Sequence, residues 1–289
     1  MTAALLPAFV HKILCGRRLD ALRDRAELTQ EQVARACGWS QPQVVNLETG
    51  TTGQRPEQLA KLRPLLKPTD QEWAEIVEHA RIGRTPLPKR GFRFKFKGDR
   101  MRKVVDMEGS ATIMRSHNSM TIPGLLQTEP YMRGIFEAYR PANGPEEIER
   151  LTALRLRRQE VLDNLDQRFE FVIDQAALSR MNNMAGGSNV MRGQLFHLLD
   201  TIGRPNVDLR FVPFTHGYYL GQAENYSLFE YDVEPRVRVV YVEQYDDQDI
   251  LHDGKNVAKY LTLWQEQARA ALDPSQAHNF LSFLAGPRS

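Results

Sequence analysis

The sequence is short of the features that mark secreted, membrane or metal-dependent proteins. It has 2 cysteines in 289 residues. Both, Cys15 and Cys37, fall at apolar positions of helical segments, which suits reduced core residues better than a disulfide or a metal pair. No stretch approaches the roughly 18 to 20 apolar residues of a membrane span. In MTAALLPAFVHK the charges follow the apolar part, the reverse of a signal peptide. A cytoplasmic protein with no membrane association is expected. The 7 histidines, His11, His79, His117, His197, His216, His252 and His278, form no i, i+3 or i, i+4 pair, so neither a metal nor a cofactor is expected. Gly186-Gly187-Ser188 lacks the lysine and spacing of a phosphate loop and reads as a turn with Ser188 capping a helix. Asp246, Asp247 and Asp249 match no calcium loop and read as an acidic surface loop. No constellation of nucleophile, base and oxyanion donors stands out, so an enzyme is not expected.

What is present is ordinary globular composition, 42% hydrophobic and 26% charged, in a chain long enough for two modest domains. Its charge is unevenly placed. From Arg81 to Lys103 there are ten Lys or Arg and one Asp, so a segment of charge +9 sits in a chain of net charge +2 and the remainder is acidic. Such a segment adds sequence-independent, salt-sensitive affinity for phosphates.

The informative stretch is Leu28 to Gly50, LTQEQVARACGWSQPQVVNLETG. Thr29 and Gln32 form a capping box for one short helix, with Val33, Ala34 and Cys37 on its buried side. Gly38 permits a sharp turn. Ser40 and Gln43 cap a second helix, Pro42 stands in its first turn, Val44 and Leu47 face inward, and Gly50 terminates it. That is a helix-turn-helix. The outer face of its second helix carries Gln41, Gln43 and Asn46, amides able to pair bidentately with adenine in a major groove, and Val45 offers a methyl contact to thymine.

This stretch resembles the phage-repressor (XRE-like) type of helix-turn-helix, L-x-Q-x-x-L-A-x-x-x-G-x-[ST]-x-x-x-I-x-x-x-E-x-G, at Leu28, Gln30, Val33, Ala34, Gly38, Ser40, Val44, Glu48 and Gly50. The resemblance implies that Gln30 positions a phosphate at a helix N-terminus and that Gln41, Gln43 and Asn46 read bases. Val45 and Asn46 depart from the Ser and Arg or Lys that many relatives carry there, and losing a cation weakens backbone attraction.

Around this motif the periodicity predicts five helices to about Ile82. The first, Phe9 to Ala26, buries Ile13, Leu14, Leu19 and Leu22 and turns Arg17, Arg18, Arg23 and Arg25 outward, where Arg17 and Arg18 can meet phosphate. Pro56 opens a fourth helix that Pro64 ends or kinks. Thr69 and Glu72 launch a fifth. We read residues 1–82 as the DNA-binding domain and 83–98 as a basic aromatic linker. In that linker Phe92, Phe94 and Phe96 alternate with Arg93, Lys95 and Lys97, a strand-like pattern whose cations face solvent or DNA. Residues 99–289 form the second domain.

That domain alternates helical and strand periods, and the overall class is α+β: an all-helical head followed by a mixed domain. Strands are expected at Arg168 to Asp174, Val207 to Val212, Tyr226 to Tyr231 and Val237 to Val242, the last two joined as a hairpin around Asp232 to Pro235. Ala111 to Arg115 reads only as an apolar stretch. A long helix after Pro145 is expected to bury Ile148, Leu151, Leu154, Val161, Leu162 and Leu165, with Arg158 inside that stripe needing a carboxylate partner or a bound anion. The loop Thr215 to Gly221, THGYYLG, is either a plain connection or the lining of an effector pocket made by His216, Tyr218 and Tyr219 with Arg158.

IPGLLQT at Ile122 to Thr128, RRQ at Arg157 to Gln159, FVPF at Phe211 to Phe214 and VVYVE at Val239 to Glu243 are similar to an actinobacterial regulator family. In that family a phage-repressor-type head precedes a long C-terminal domain described as antitoxin-like. The resemblance implies a small partner protein that binds the C-terminal domain. The expected protein is therefore a homodimeric regulator of a double-stranded DNA operator, signalled by a small partner protein or, as the alternative, by a metabolite; an enzyme domain that the head tethers to DNA is the remaining alternative.

Overall fold

Local capping sets out the first five helices. α1 (Ala8–Arg25) follows Pro7. α2 (Gln30–Cys37) begins at Thr29, whose hydroxyl accepts from the Gln32 backbone N–H at 3.2 Å while the Gln32 side-chain oxygen accepts from the Thr29 N–H at 2.7 Å. In α3 (Gln41–Glu48) the Ser40 N–H donates to Gln43 Oε1 at 2.8 Å. α4 (Pro56–Leu66) opens with Arg55 N–H donating to Gln58 Oε1 at 2.9 Å, and α5 (Asp70–Gly83) with Thr69 N–H donating to Glu72 Oε2 at 2.8 Å. Each box satisfies donors that a helix start otherwise leaves unpaired. Pro64 neither ends α4 nor marks its limit. The helix runs on to Leu66 and closes at Lys67, whose φ is 45°; a proline so near the C-terminus removes one backbone bond and leaves the rest.

The computed structural model describes residues 6–85, 99–139, 144–179, 187–243 and 248–287. They divide into two compact units, one built on α1 to α5 and taking in Tyr231–Val237, the other holding the rest. Among the described residues the secondary structure of the first unit is helical apart from that connection. Its core joins Cys15, Leu19 and Leu22 of α1 to Val33, Ala34 and Cys37 of α2, Val44 of α3, Leu59, Leu62 and Leu66 of α4, and Trp73, Ile76 and Ala80 of α5. Both cysteines are free and buried, and burial pushes the Cys15 thiol up to about 12.

The second unit is a six-stranded sheet with helices, so the chain is α+β. The strands are β1 (Ile113–Asn118), β2 (Arg168–Asp174), β3 (Val207–Val212), β4 (Tyr226–Tyr231), β5 (Val237–Glu243) and β6 (Gln248–Leu251), in the order β3-β2-β1-β4-β5-β6. β1, β2 and β3 are parallel, while β4 is antiparallel to β1 and β6 to β5. The helices are α6 (Asp99–Glu108), α7 (Glu129–Tyr139), α8 (Pro145–Gln159), α9 (Gly187–Ile202), α10 (Gly254–Ala270) and α11 (Pro274–Ala285). α10 covers one sheet face, where Val257 and Trp264 meet Val172, Val212, Tyr226, Leu228 and Val240. Further along the same face an ion-pair ladder crosses the strands: Arg115 with Glu170 at 2.8 Å and Glu230 at 3.4 Å, Arg238 with Glu230 at 2.7 Å, and Arg210 with Asp208 at 2.6 Å.

Four expectations change. Ala111 to Arg115 is the approach to a central strand, β1, whose polar side chains hide its character because Arg115 and Ser116 are paired within the sheet and His117 with the Glu224 carbonyl just before β4. Asp249 belongs to β6, opposite Val242, rather than to a loop; Asp246 and Asp247 lie outside the described residues. α8 stops at Gln159 and a 3-10 turn follows to Asp163, which puts Leu165 in a turn at 67% exposure instead of on the buried stripe. Ser188 stands inside α9, which already begins at Gly187.

Candidate nucleic-acid interface

α2 and α3 are held at a fixed angle by Gly38, a left-handed residue with φ 71° that closes α2 and lets the chain reach Ser40 in three residues. α3 is then anchored from below. Val44 and Leu47 are buried, and so is Glu48. The Glu48 carboxylate accepts from Arg23 Nε of α1 at 2.7 Å and from the Gln30 side-chain amide of α2 at 2.7 Å. Burial pushes this carboxyl up, against the pull of Arg23 and Gln30. One side chain thus ties three helices together behind the exposed face of α3.

That face carries the amides expected to read bases, in unequal states. Gln41 is exposed, and Gln43 is exposed with its oxygen held by the Ser40 N–H at 2.8 Å, which leaves its NH2 group to donate. Val45 and Asn46 are half-buried further along the helix, and Ser40 stands exposed at its start. Gln30 uses one amide hydrogen on Glu48 and keeps the other.

The cations are arranged differently from the expectation. Arg18 pairs with Glu75 of α5 at 2.6 Å, Arg17 donates to the Arg236 carbonyl at 2.5 Å, and Arg25 makes two bonds to Glu72 at 2.6 and 2.9 Å. These arginines point outward and are engaged by the protein itself. Periodicity gives a helix face and says nothing of which acid lies across the gap. Two cations that the reading passed over stand beside the motif. Arg35 on α2 is 81% exposed, with Glu31 3.5 Å away. Lys61 of α4 donates to the Cys37 carbonyl at 2.9 Å, at the turn between α2 and α3, with Trp39 beneath its ammonium. Arg35 was legible as the exposed cation one turn past Gln32; Lys61 is brought there only by the tertiary fold. Arg93 and Lys95 lie outside the described residues.

In the second unit the four side chains grouped as a possible pocket are only partly together: the His216 ring lies edge-on to Tyr219 with centroids 6.2 Å apart, while Arg158 is engaged with Glu108. Arg158 is bidentate to Glu108 at 2.6 and 2.7 Å, the carboxylate alternative for a buried guanidinium; burial pushes the Glu108 carboxyl up against that pull. Tyr219 turns inward, its hydroxyl 2.8 Å from Asp174 Oδ2 and 3.1 Å from His117 Nε2, while His117 Nδ1 lies 2.5 Å from the Glu224 carbonyl. Burial holds the His117 imidazole below its usual range. His216 and Tyr218 face solvent, Tyr218 at 97% exposure, beside exposed Phe214 and Leu220.

A helix pair joined by a glycine turn, anchored from behind and presenting amides, defines the first unit as the reading head of a DNA-binding regulator. Comparison with known families agrees: residues 15–75 match the profile described as a helix-turn-helix domain. Residues 101–282 match the profile described as Domain of unknown function (DUF5753), and the chain belongs to that family. A search of the curated proteins finds no match.

Proposed function

We propose that the protein is an operator-specific transcriptional regulator of the phage-repressor type, binding as a homodimer to half-sites about 34 Å apart with an α3 helix in each of two successive major grooves. The observation that carries this reading is Gln41, exposed at the first position of a helix whose opposite face is locked to α1 and α2 through Glu48. An amide so placed reaches a base edge without any part of the head moving. Asn46, Val45 and the free NH2 of Gln43 extend the reading face, while Ser40, Gln30, Arg35 and Lys61 lie where phosphates flank it. Arg93 and Lys95 supply non-specific attraction. DNA as the ligand places the protein in the cytoplasm.

Gln41→Ala should weaken specific binding by roughly 1 to 3 kcal/mol and leave non-specific binding nearly unchanged, whereas Lys95→Ala should chiefly lower the salt slope, by about one. Fluorescence anisotropy over a salt series measures both. An equal loss on every sequence from Gln41→Ala would remove the base-reading assignment.

The second unit, in this reading, receives the signal from a small partner protein, as in a toxin-antitoxin-like pair. Exposed Phe214, Tyr218 and Leu220, with His216 between them, support it, because contiguous exposed aromatics are the side chains that anchor protein contacts. The metabolite alternative needed Arg158 and Tyr219 free to meet a ligand, and both are spent on internal partners. We infer a regulator rather than an enzyme, a reading supported by the helix-turn-helix head.

A further inference from the structure

Spacing puts Arg17 of α1 where it can meet phosphate, and the fold gives it other work. Its Nη1 donates to the Arg236 carbonyl at 2.5 Å, across 219 residues of chain. Arg236 belongs to the connection between β4 and β5, of which Tyr231–Val237 is part of the first unit. Phe9, eight residues earlier and so on the same side of α1, meets the other end of that connection. Its ring lies edge-on to the Tyr231 ring, with centroids 6.0 Å apart and an interplanar angle of 76°. Tyr231 and Val237, which bound the connection, are both fully buried. The connection is thus held at two points along one side of α1. The head does not need it to close its core, since none of Tyr231–Val237 is among the thirteen buried residues that join the five helices.

The same helix carries the reading helix. A Cβ on Gly16 would lie 2.7 Å from the Leu47 carbonyl oxygen and nearer still to that of Glu48, so the backbones of α1 and α3 touch at this residue. Arg23, seven residues on, holds the Glu48 carboxylate at 2.7 Å. An unbroken helix of 18 residues shifts as one piece, and a recognition contact tolerates a displacement of only about 0.5 Å. What holds α1 therefore sets the aim of α3. β4 and β5, which run on from the two ends of the connection, are strands of the sheet paired with β1 and β6.

We propose that Arg17 is a positioning residue for the reading helix: it clamps the β4–β5 connection to α1, and through α1 the clamp fixes the aim of α3. A guanidinium donating to a carbonyl suits this role, because a charge-assisted hydrogen bond is strong at short range and weakens steeply when either partner moves. The consequence at DNA rests on the operator reading. A signal received by the sheet then has a path that ends on α3, since a change in β4 or β5 draws on the connection and the connection draws on α1.

Hydrogen exchange on the full chain without DNA tests the clamp itself. Arg17→Ala should speed exchange of residues 231–237 and of α3 together, by about tenfold, while α4 and α5 keep wild-type rates. A general loss of stability would speed all five helices. Phe9→Leu, which removes the ring facing Tyr231 without touching any charge, should act in the same way. Fluorescence anisotropy separates positioning from phosphate contact, using a duplex enriched from a random pool by the wild type and a scrambled duplex of the same length. Arg17→Ala should weaken binding to the enriched duplex about tenfold, leave the scrambled one unchanged and keep the wild-type salt slope. A fall of about one in that slope, with equal loss on both duplexes, would make Arg17 a phosphate ligand and overturn the proposal. Exchange in α3 that stays at wild-type rates in both variants would overturn it as well. A wild type that enriches no duplex, with α3 loosening alongside the connection in both variants, would keep the clamp and remove the operator reading.

Discussion

Gln41 and Gln43 are the same residue two positions apart, and the backbone gives them different work. The Gln43 oxygen closes the capping box on the Ser40 N–H, so only its NH2 group remains to donate, and it loses the bidentate pairing that an amide makes with adenine. Gln41 keeps both halves of its amide. The capping role of Gln43 was legible from the Ser-x-x-Gln spacing; the consequence for reading was not, because spacing does not say which amide atom is consumed. A similar limit applies to histidine. His11 and His79 are far apart in sequence, yet their Nδ1 atoms stand 2.8 Å apart between α1 and α5. No i, i+4 rule finds such a pair. Burial, with His11 and Arg18 outweighing Glu75 and Glu78, holds His79 down to about 4. Between that value and the usual pKa of about 6.5 the unfolded chain takes up a proton that the folded head refuses, so stability falls as pH is lowered through this window. The slope is at most about 1.4 kcal/mol per pH unit. Hydrogen-exchange protection of α1 and α5 should drop on acidification below pH 6.5 in the wild type, and His79→Gln should flatten that dependence.

At the scale of elements, the head was written most plainly, since caps, turn glycines and apolar spacing act within a few residues of one another. The sheet was half legible. β2 to β5 show apolar runs, but β1 carries Arg115, paired across the sheet face, and His117, paired with the connection before β4, and β6 is only Gln248–Leu251 with an aspartate inside it. Local pattern cannot distinguish a paired polar side chain from an exposed one. The over-long reading of α8 has the opposite cause: its helical spacing continues by chance through a 3-10 turn into Leu165. Glycine separates two kinds of constraint. Gly38 and Gly50 are both left-handed, with φ of 71° and 75°, but a Cβ on Gly38 meets nothing, whereas one on Gly50 would lie 2.6 Å from the Lys12 carbonyl oxygen and 2.7 Å from Ile13 N of α1. Gly38→Ala should therefore cost about 1 to 2 kcal/mol from backbone strain alone, and Gly50→Ala roughly 2 to 5 kcal/mol because overpacking is added. Urea unfolding of the two variants decides it; equal losses would mean that the α1 to α3 approach yields easily.

For the whole molecule, the proposed function divides labour between two compact units. The head has its own core of thirteen buried residues drawn from all five helices, and the sheet domain is built on apolar clusters under α10. A net charge of +2 conceals a segment from Arg81 to Lys103 that carries ten cations against one acid, beside the head. In the proposed reading, long-range attraction and base discrimination belong to different parts of the chain, and only the second depends on the geometry of α3. The measurement that tests this most directly is selection of binding sites from a pool of random duplexes by the full-length protein, repeated with Gln41→Ala. The account predicts enrichment of a two-fold symmetric site with half-site centres about 10 to 10.5 base pairs, or a multiple, apart, and a change of preferred base within each half-site for the variant. Uniform recovery of all sequences by the wild type, with affinity that follows salt alone, would contradict it.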